Sequence, residues 1–271
     1  MEAAGVKRDL VYLSLGAGVQ SSALYILSCK GDRGVQRADV AIFADTQGEP
    51  AWVYEQLDRL ERWGAIPIHR VTQGDLEADA RARINGTRSR FAIIPAFTLS
   101  QGVATPVRRQ CTREYKIQAI EREARRLMGY MKGQRIKHRA VSMIGISADE
   151  ASRAGISRTK WVTNSYPLLD ARLRRSDCIH IIESAGLPVP KKSACVFCPY
   201  HSNAYWRDLK ENHQHEFERA VSFDEAIRDM TKMGFMQPIY LHRSLIPLSA
   251  VDFTKKQGEL FDEECAGVCG V

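Results

Sequence analysis

The 271-residue sequence lacks the features that would tie it to a membrane or to secretion. No apolar run approaches the roughly 20 residues that a membrane-spanning helix needs. The opening MEAAGVKRDL has no apolar signal-peptide core, so a cytoplasmic location is expected and a membrane partner is not. Internal repeats and low-complexity tracts are absent, which leaves an ordinary globular chain. Two familiar phosphate-binding signatures are missing as well. The loop SLGAGVQSSAL is followed by no Gly-Lys-Ser/Thr, which excludes a Walker A motif, and it does not spell GxGxxG.

The composition is that of a globular protein, with 44% hydrophobic and 26% charged residues. Its length allows one large domain or a domain with an appendage. A net charge of +7 is a real bias, with basic residues bunched at Arg81/Arg83, Arg88/Arg90, Arg108/Arg109, Arg172/Arg174/Arg175 and Lys191/Lys192. Such clusters suit a polyanion, either nucleic acid or nucleotide phosphates, and a solvated basic surface is the plainer alternative for any one of them. Seven cysteines without a secretion signal point to metal binding or thiol chemistry rather than disulfides. Cys195 and Cys198 form a CxxC, Cys265 and Cys269 sit near the C-terminus, and Cys29 and Cys178 read as core residues.

Along the chain, LVYLSLG, ADVAIFADT, IPIHRVT and VSMIGIS read as buried strands. Between them lie SSALYILSCKG, the amphipathic WVYEQLDRLERWG and the helix CTREYKIQAIEREARRLMG, with Ile117, Ile120, Ala124 and Leu127 on one face. Strand and helix alternating at these lengths imply βαβ units and a parallel sheet. From about Gly74 to Arg109 the periodicity lapses into a Gly-, Arg- and Thr-rich stretch, expected to be a functional loop. The second half holds a short helix (SDCIHIIESAG), the turn KKSACVFCPYHS and a long charged helical region.

In the first loop, Ser14, Gly16, Ala17, Gly18, Gln20, Ser21 and Ser22 stand where a strand hands over to a helix. Glycines there let the backbone approach phosphates, and the helix N-terminus offers free N–H groups. These residues resemble the PP-loop of N-type ATP pyrophosphatases and PAPS reductases, with Gln20 where an Asp might stand. FADTQGEP is similar to the family's DTG segment and brings in Asp45 and Thr46, with helix capping as the alternative. IGISADEASR resembles its GIRxDES..R segment, through Gly145, Ser147, Asp149, Glu150 and Arg153, with an acidic surface turn as the alternative. YPLLD through CVFCPY resembles its run from a PL.dW segment to a CxxC.

The resemblance implies a doubly wound parallel α/β sheet, Rossmann-like and of the adenine nucleotide alpha hydrolase type. It implies a nucleotide-binding domain over residues 1–165 and a cysteine-containing, mainly helical segment over 166–271. It also implies ATP or another adenine nucleotide, with Mg2+. Cys111, at a helix start beside Arg108, Arg109 and Lys116, resembles the cluster cysteine of iron–sulfur sulfonucleotide reductases, which carry a double cysteine there. With Cys195 and Cys198 it would hold a 4Fe-4S cluster, the fourth position falling to Cys265, Cys269, His201 or none. Structural zinc on Cys111, Cys195, Cys198 and His201 is the rival.

ELFDEECAGVCGV resembles the family's C-terminal cysteine tail, which makes Cys265 a nucleophile and, with Asp45, a candidate catalytic residue. Three functions are then open. One is ATP-dependent sulfur transfer to tRNA or DNA, with pyrophosphate release and a sulfur donor. Another is reduction of PAPS or adenylyl sulfate with a thioredoxin-like reductant. The last is an inactive, zinc-containing nucleic-acid-binding module. The assembly is left open by the sequence, a homodimer being one of the forms it allows.

Overall fold

Hydrophobic periodicity places the first strands and helices, and a computed structural model shows how they pack, describing residues 7–84, 94–107, 109–230 and 234–254. In chain order the elements begin β1 (Leu10–Ser14), α1 (Val19–Lys30), β2 (Val40–Asp45), α2 (Ala51–Trp63), β3 (Ile68–Thr72) and α3 (Leu76–Ile84). A hairpin of β4 (Phe97–Ser100) and β5 (Val103–Pro106) follows. A π-helical segment (Thr112–Ile117) then runs into α4 (Gln118–Leu127), followed by β6 (Ala140–Ile144) and β7 (Val162–Ser165). The rest comprises α5 (Pro167–Asp170), α6 (Arg175–Ser184), α7 (Asn203–Asn212), α8 (Gln214–Ala226) and β8 (Ile239–Tyr240).

The main sheet has the order β3-β2-β1-β6-β7, and all its pairings are parallel. The chain winds outward from β1 to β3, then crosses back to lay β6 on the other side of β1. That reversal makes the β1/β6 boundary the topological switch point, where open α/β sheets bind ligands beyond the strands' carboxyl ends. The fold is therefore the expected doubly wound α/β sheet.

Helix α1 is buried from Val19 through Ser28, so it has no solvent face and shows little amphipathicity. Gly31, at φ 64°, ends it by donating its N–H to the Leu27 carbonyl. On this face α1 packs with α2 and α6, around Leu24, Leu57 and Ile182. The opposite face is covered by α4, whose Ala119, Ile120 and Ala124 sit over Tyr12 and Ile42.

A second core gathers Phe197, Trp206, Phe217 and Phe223 with Leu76, Ala96 and Tyr115. A small antiparallel sheet, β5-β4-β8, borders it. Helix α6 packs on α1 in the first core, while residues from α3 to Tyr115 belong to the second. The Gly74–Arg109 stretch also differs from its expected loop. It contains α3 and the β4–β5 hairpin, turned by Gln101 and Gly102, both at positive φ. Two consecutive positive-φ residues match the right-handed twist of a tight hairpin.

No described helix is long and apolar enough to cross a membrane. Cys178 is fully buried in the first core and Cys29 packs against it, as expected of core cysteines.

Candidate functional site

The segment from Leu15 to Gly18 turns the end of β1 into α1. Ala17 stands at φ 57°, in the left-handed region that a Cβ disfavours. Gly18 is the helix N-cap with extended backbone and makes no side-chain cap bond. The first N–H groups of α1 are thus left for solvent or an anion, apart from bonds made by the loop itself. Among those bonds, the Gly16 N–H donates to Ser21 Oγ at 3.3 Å and the Ser21 hydroxyl donates to the Gly18 carbonyl at 3.2 Å. Ser193, just ahead of the CxxC, donates its hydroxyl to the Gly16 carbonyl.

The loop after β6 closes on this turn from the other side of the switch point. A Cβ on Gly145 would stand 2.8 Å from the Ser21 nitrogen, so only glycine allows the approach. Gln20 is the hub between the two loops. Its amide donates to Ser147 Oγ at 3.4 Å and to Glu150 Oε2 at 3.1 Å, and its carbonyl accepts from Arg175 at 3.2 Å. Glu150 is paired with Arg153 at 2.6 Å. Asp149 accepts from the Arg175 backbone N–H. Burial would raise the Asp149 pKa, but hydrogen bonds from Ser147, its own backbone and Arg175 outweigh it and hold the carboxyl below its ordinary value. Gln20, Ser21, Ser22, Gly145, Ser147, Asp149, Glu150 and Arg153, separate in sequence, thus meet at one sheet edge.

Asp45 and Thr46, at the end of β2, form the third side. Asp45 Oδ1 accepts from the Gln47 N–H at 2.7 Å and the Tyr54 hydroxyl at 2.8 Å, so that oxygen anchors the turn. Thr46 Oγ1 lies 3.1 Å from Cys195 Sγ. The Val196 N–H donates to the Gly48 carbonyl at 2.8 Å, seating the cysteine turn on this loop. Gly48 is required there, because a Cβ would come within 2.7 Å of the Phe197 ring.

Glu49 stands beside Cys195, buried and paired with Lys116 at 3.0 Å. Its Oε1 is 3.9 Å from Cys195 Sγ. Burial, followed by the Glu49 charge, pushes the Cys195 thiol well above its ordinary pKa, against the opposing charge of Lys116. His201 Nε2 faces the Cys195 carbonyl at 2.9 Å, and the ring stacks on Tyr205. Burial, then the nearby Lys192 charge, brings the His201 pKa down to about 3, so the ring is neutral.

Glu49 Oε2, His201 Nδ1 and the Tyr205 hydroxyl are all buried without a hydrogen-bond partner. Buried polar atoms are rarely left so, and three of those in this structure stand around one CxxC. Among the described residues no three His, Cys, Asp or Glu side chains are gathered to hold a single metal ion. Cys111, Cys195 and Cys198 offer thiolate donors of the kind that both zinc and iron–sulfur clusters take. Cys111 opens the π-helical segment and is half-buried, as are Cys195 and Cys198.

Cys265 and Cys269 lie outside the described residues, as do Arg88, Arg90 and Arg108. Sequence alone gives no role in the site to Glu49, Ser193, Gln56 or Tyr54. Their signal is faint: Ser193 adjoins the CxxC, and Gln56, fully buried, donates to Ser22 from the hidden face of α2 at 3.4 Å. Arg175, which sequence places only within a basic cluster, is bonded to Gln20.

No family model matches the chain, and no curated protein matches it. Among solved structures it is similar to a phosphoadenylyl-sulfate (PAPS) reductase from Candida auris in a phosphate complex, at 11% sequence identity and a TM-score of 0.42. That match covers 68% of this chain and 80% of the other.

Proposed function

We propose that the protein is an adenylating sulfur-transfer enzyme that binds ATP at the Gly16–Gly18 loop and carries an iron–sulfur cluster on Cys111, Cys195 and Cys198. The observation that supports this most directly is the Thr46–Cys195 contact of 3.1 Å, which joins the cysteine turn to the sheet edge where the nucleotide loop lies. A thiol group and a phosphate cradle have no structural need to adjoin. Their contact suits chemistry that passes sulfur to a phosphate-activated carbon.

In the proposed sequence the loop N–H groups and Ser21 and Ser22 hold the triphosphate, together with Mg2+. An acceptor oxygen, on a nucleic acid in keeping with the basic surface, attacks the α-phosphorus, and pyrophosphate leaves. Sulfur then forms a bond to the activated carbon while the bond to AMP breaks. Gln20, fixed by Ser147, Glu150 and Arg175, orients the first turn of α1 toward the phosphates. Lys116 neutralises Glu49 beside the cysteines. The cluster, when bound, supplies a site for labile sulfur. Asp45 supports the second loop through its bonds to Gln47 and Tyr54. Cys265 is proposed as a nucleophilic thiol for the transfer.

Anaerobically purified protein should be brown and contain iron and sulfide in similar amounts. Cys195→Ser should bleach it, and Cys265→Ser should keep the colour while losing transfer. Stoichiometric zinc without iron after anaerobic reconstitution would overturn the cluster assignment.

A further inference from the structure

Helix α4 packs chiefly on β1, β2 and β3, and leaves the β6–β7 side of that sheet face to the segment around residues 155–159. A cavity of about 380 Å³ lies there, and none of the residues from Gly16 to Gly18 lines it. Its floor is made by Tyr12 of β1 and Ser142 of β6, paired in register and both buried. Its walls carry Arg109, Arg113, Arg153 and Arg158 against a single carboxylate, Glu121. That carboxylate already accepts the Thr159 hydroxyl. Arg113 and Arg158 are exposed and make no ion pair with any described residue. At the rim Ile156 is 95% exposed, an apolar side chain with nothing packed on it.

With Arg153 already paired to Glu150, the exposed Arg113 and Arg158 beside the one satisfied carboxylate still create a local surplus of positive charge in a concave site. Planar guanidinium forks suit phosphate oxygens, and the hydroxyl floor offers donors and acceptors to a base edge. A cavity of this size admits a single nucleotide unit, not a duplex, and the exposed isoleucine offers an apolar contact for an unstacked base. Arg153 also belongs to the chain Arg153–Glu150–Gln20, which ends in the first turn of α1. Arg153 thereby links the cavity wall to the loop in which the nucleotide is proposed to sit.

We infer that this cavity receives one unstacked nucleotide of a nucleic-acid strand and presents it to the loop as the sulfur acceptor. The inference rests on the ATP assignment of the Gly16–Gly18 loop. It identifies the acceptor by its phosphodiester backbone and exposed base, and an acidic peptide is the competing occupant.

The test uses the full chain, fluorescein-labelled mixed-sequence single-stranded RNA and DNA 15-mers, and a labelled polyglutamate peptide of equal charge. Anisotropy titrations at two salt concentrations compare the wild type with Arg113→Glu/Arg158→Glu. A second double variant, Lys132→Glu/Arg135→Glu, makes the same change in net charge away from the cavity. The arginines are exposed, so the cavity variant should melt like the wild type. It should bind one of the nucleic acids about 10-fold or more weakly, with the salt slope reduced by about 0.7 for each phosphate that the arginines no longer neutralise. Calorimetric ATP binding should be unchanged. Equal weakening in the remote variant, undiminished nucleic-acid binding in the cavity variant, or polyglutamate bound as tightly as nucleic acid would overturn the inference. Wild-type protein that fails to bind ATP, while nucleic-acid binding still depends on the two arginines, would instead refute the loop assignment and leave the cavity as a nucleic-acid site.

Discussion

Gly18 and Gly145 both belong to the loop site, yet they test different things. A Cβ on Gly18 would meet only Ser193 Cβ, at 3.7 Å, and the backbone there is extended, so Gly18→Val should fold. The added methyls would then occupy the phosphate cradle, and calorimetry should show adenine nucleotide binding abolished with the melting temperature kept. Ser22→Ala should weaken binding by only about 1 kcal/mol, or somewhat more for a bond to charged phosphate. Undiminished binding by the valine variant would refute the assignment. At Gly145 any side chain strikes the backbone of α1, so loss of binding there would not separate packing from chemistry. Glycine and hydroxyl residues at strand ends are legible because the tight turn and the close approach of the two loops demand them in fixed places. Glu49 is not, since a buried acid paired with Lys116, 67 residues away, leaves no local pattern.

Apolar pattern makes several elements readable: β1, β2, β3 and β6 as short apolar runs, and α2 and α4 by their one buried face. The hairpin β4–β5 escapes it because the residues from Val103 to Pro106 are largely exposed and carry no alternation. The π-helical turn after Cys111 reads as ordinary helix, since the side-chain pattern barely distinguishes the two. Asp224 joins elements that share no sequence signal. Fully buried on α8, it accepts from the Leu241 N–H at 2.7 Å and the Leu248 N–H at 3.0 Å, and it pairs with Arg228. Removing it strands two buried N–H donors and a cation, so Asp224→Ala should cost about 3 kcal/mol in urea unfolding. Nucleotide binding should survive wherever the variant is folded. A loss below about 1 kcal/mol would show that the carboxylate does not hold β8 and the following turn in place.

The whole molecule couples a sheet edge to a second, aromatic core, and its acid stability should report on that core. His242 is buried between Asn203 and Ser244, and burial, then the charge of Arg243, brings its pKa down to about 4. The folded state binds the proton less readily than the unfolded state, whose value is near 6.5. Stability contributed by neutral His242 is therefore complete above about 6.5 and is lost progressively as pH falls toward 4. Between pH 7 and pH 5 the loss should be on the order of 1–2 kcal/mol, and His242→Gln should flatten that limb. An unchanged acid limb in the glutamine variant would assign it to other groups. Sequence shows the α/β class at this scale but not the division between cores, because α6 returns to the first core after the chain has begun the second. The central claim, that ATP is cleaved at its α-phosphate beside a sulfur-bearing cysteine site, is tested most directly by the products formed from α-labelled ATP. Incubated anaerobically with acceptor nucleic acid and a sulfur donor, the wild type should release AMP and pyrophosphate in equal amounts with thiolated product, and Gly18→Val should release neither. ADP and phosphate, or no ATP turnover alongside thiol-dependent release of sulfite from a sulfonucleotide, would contradict it.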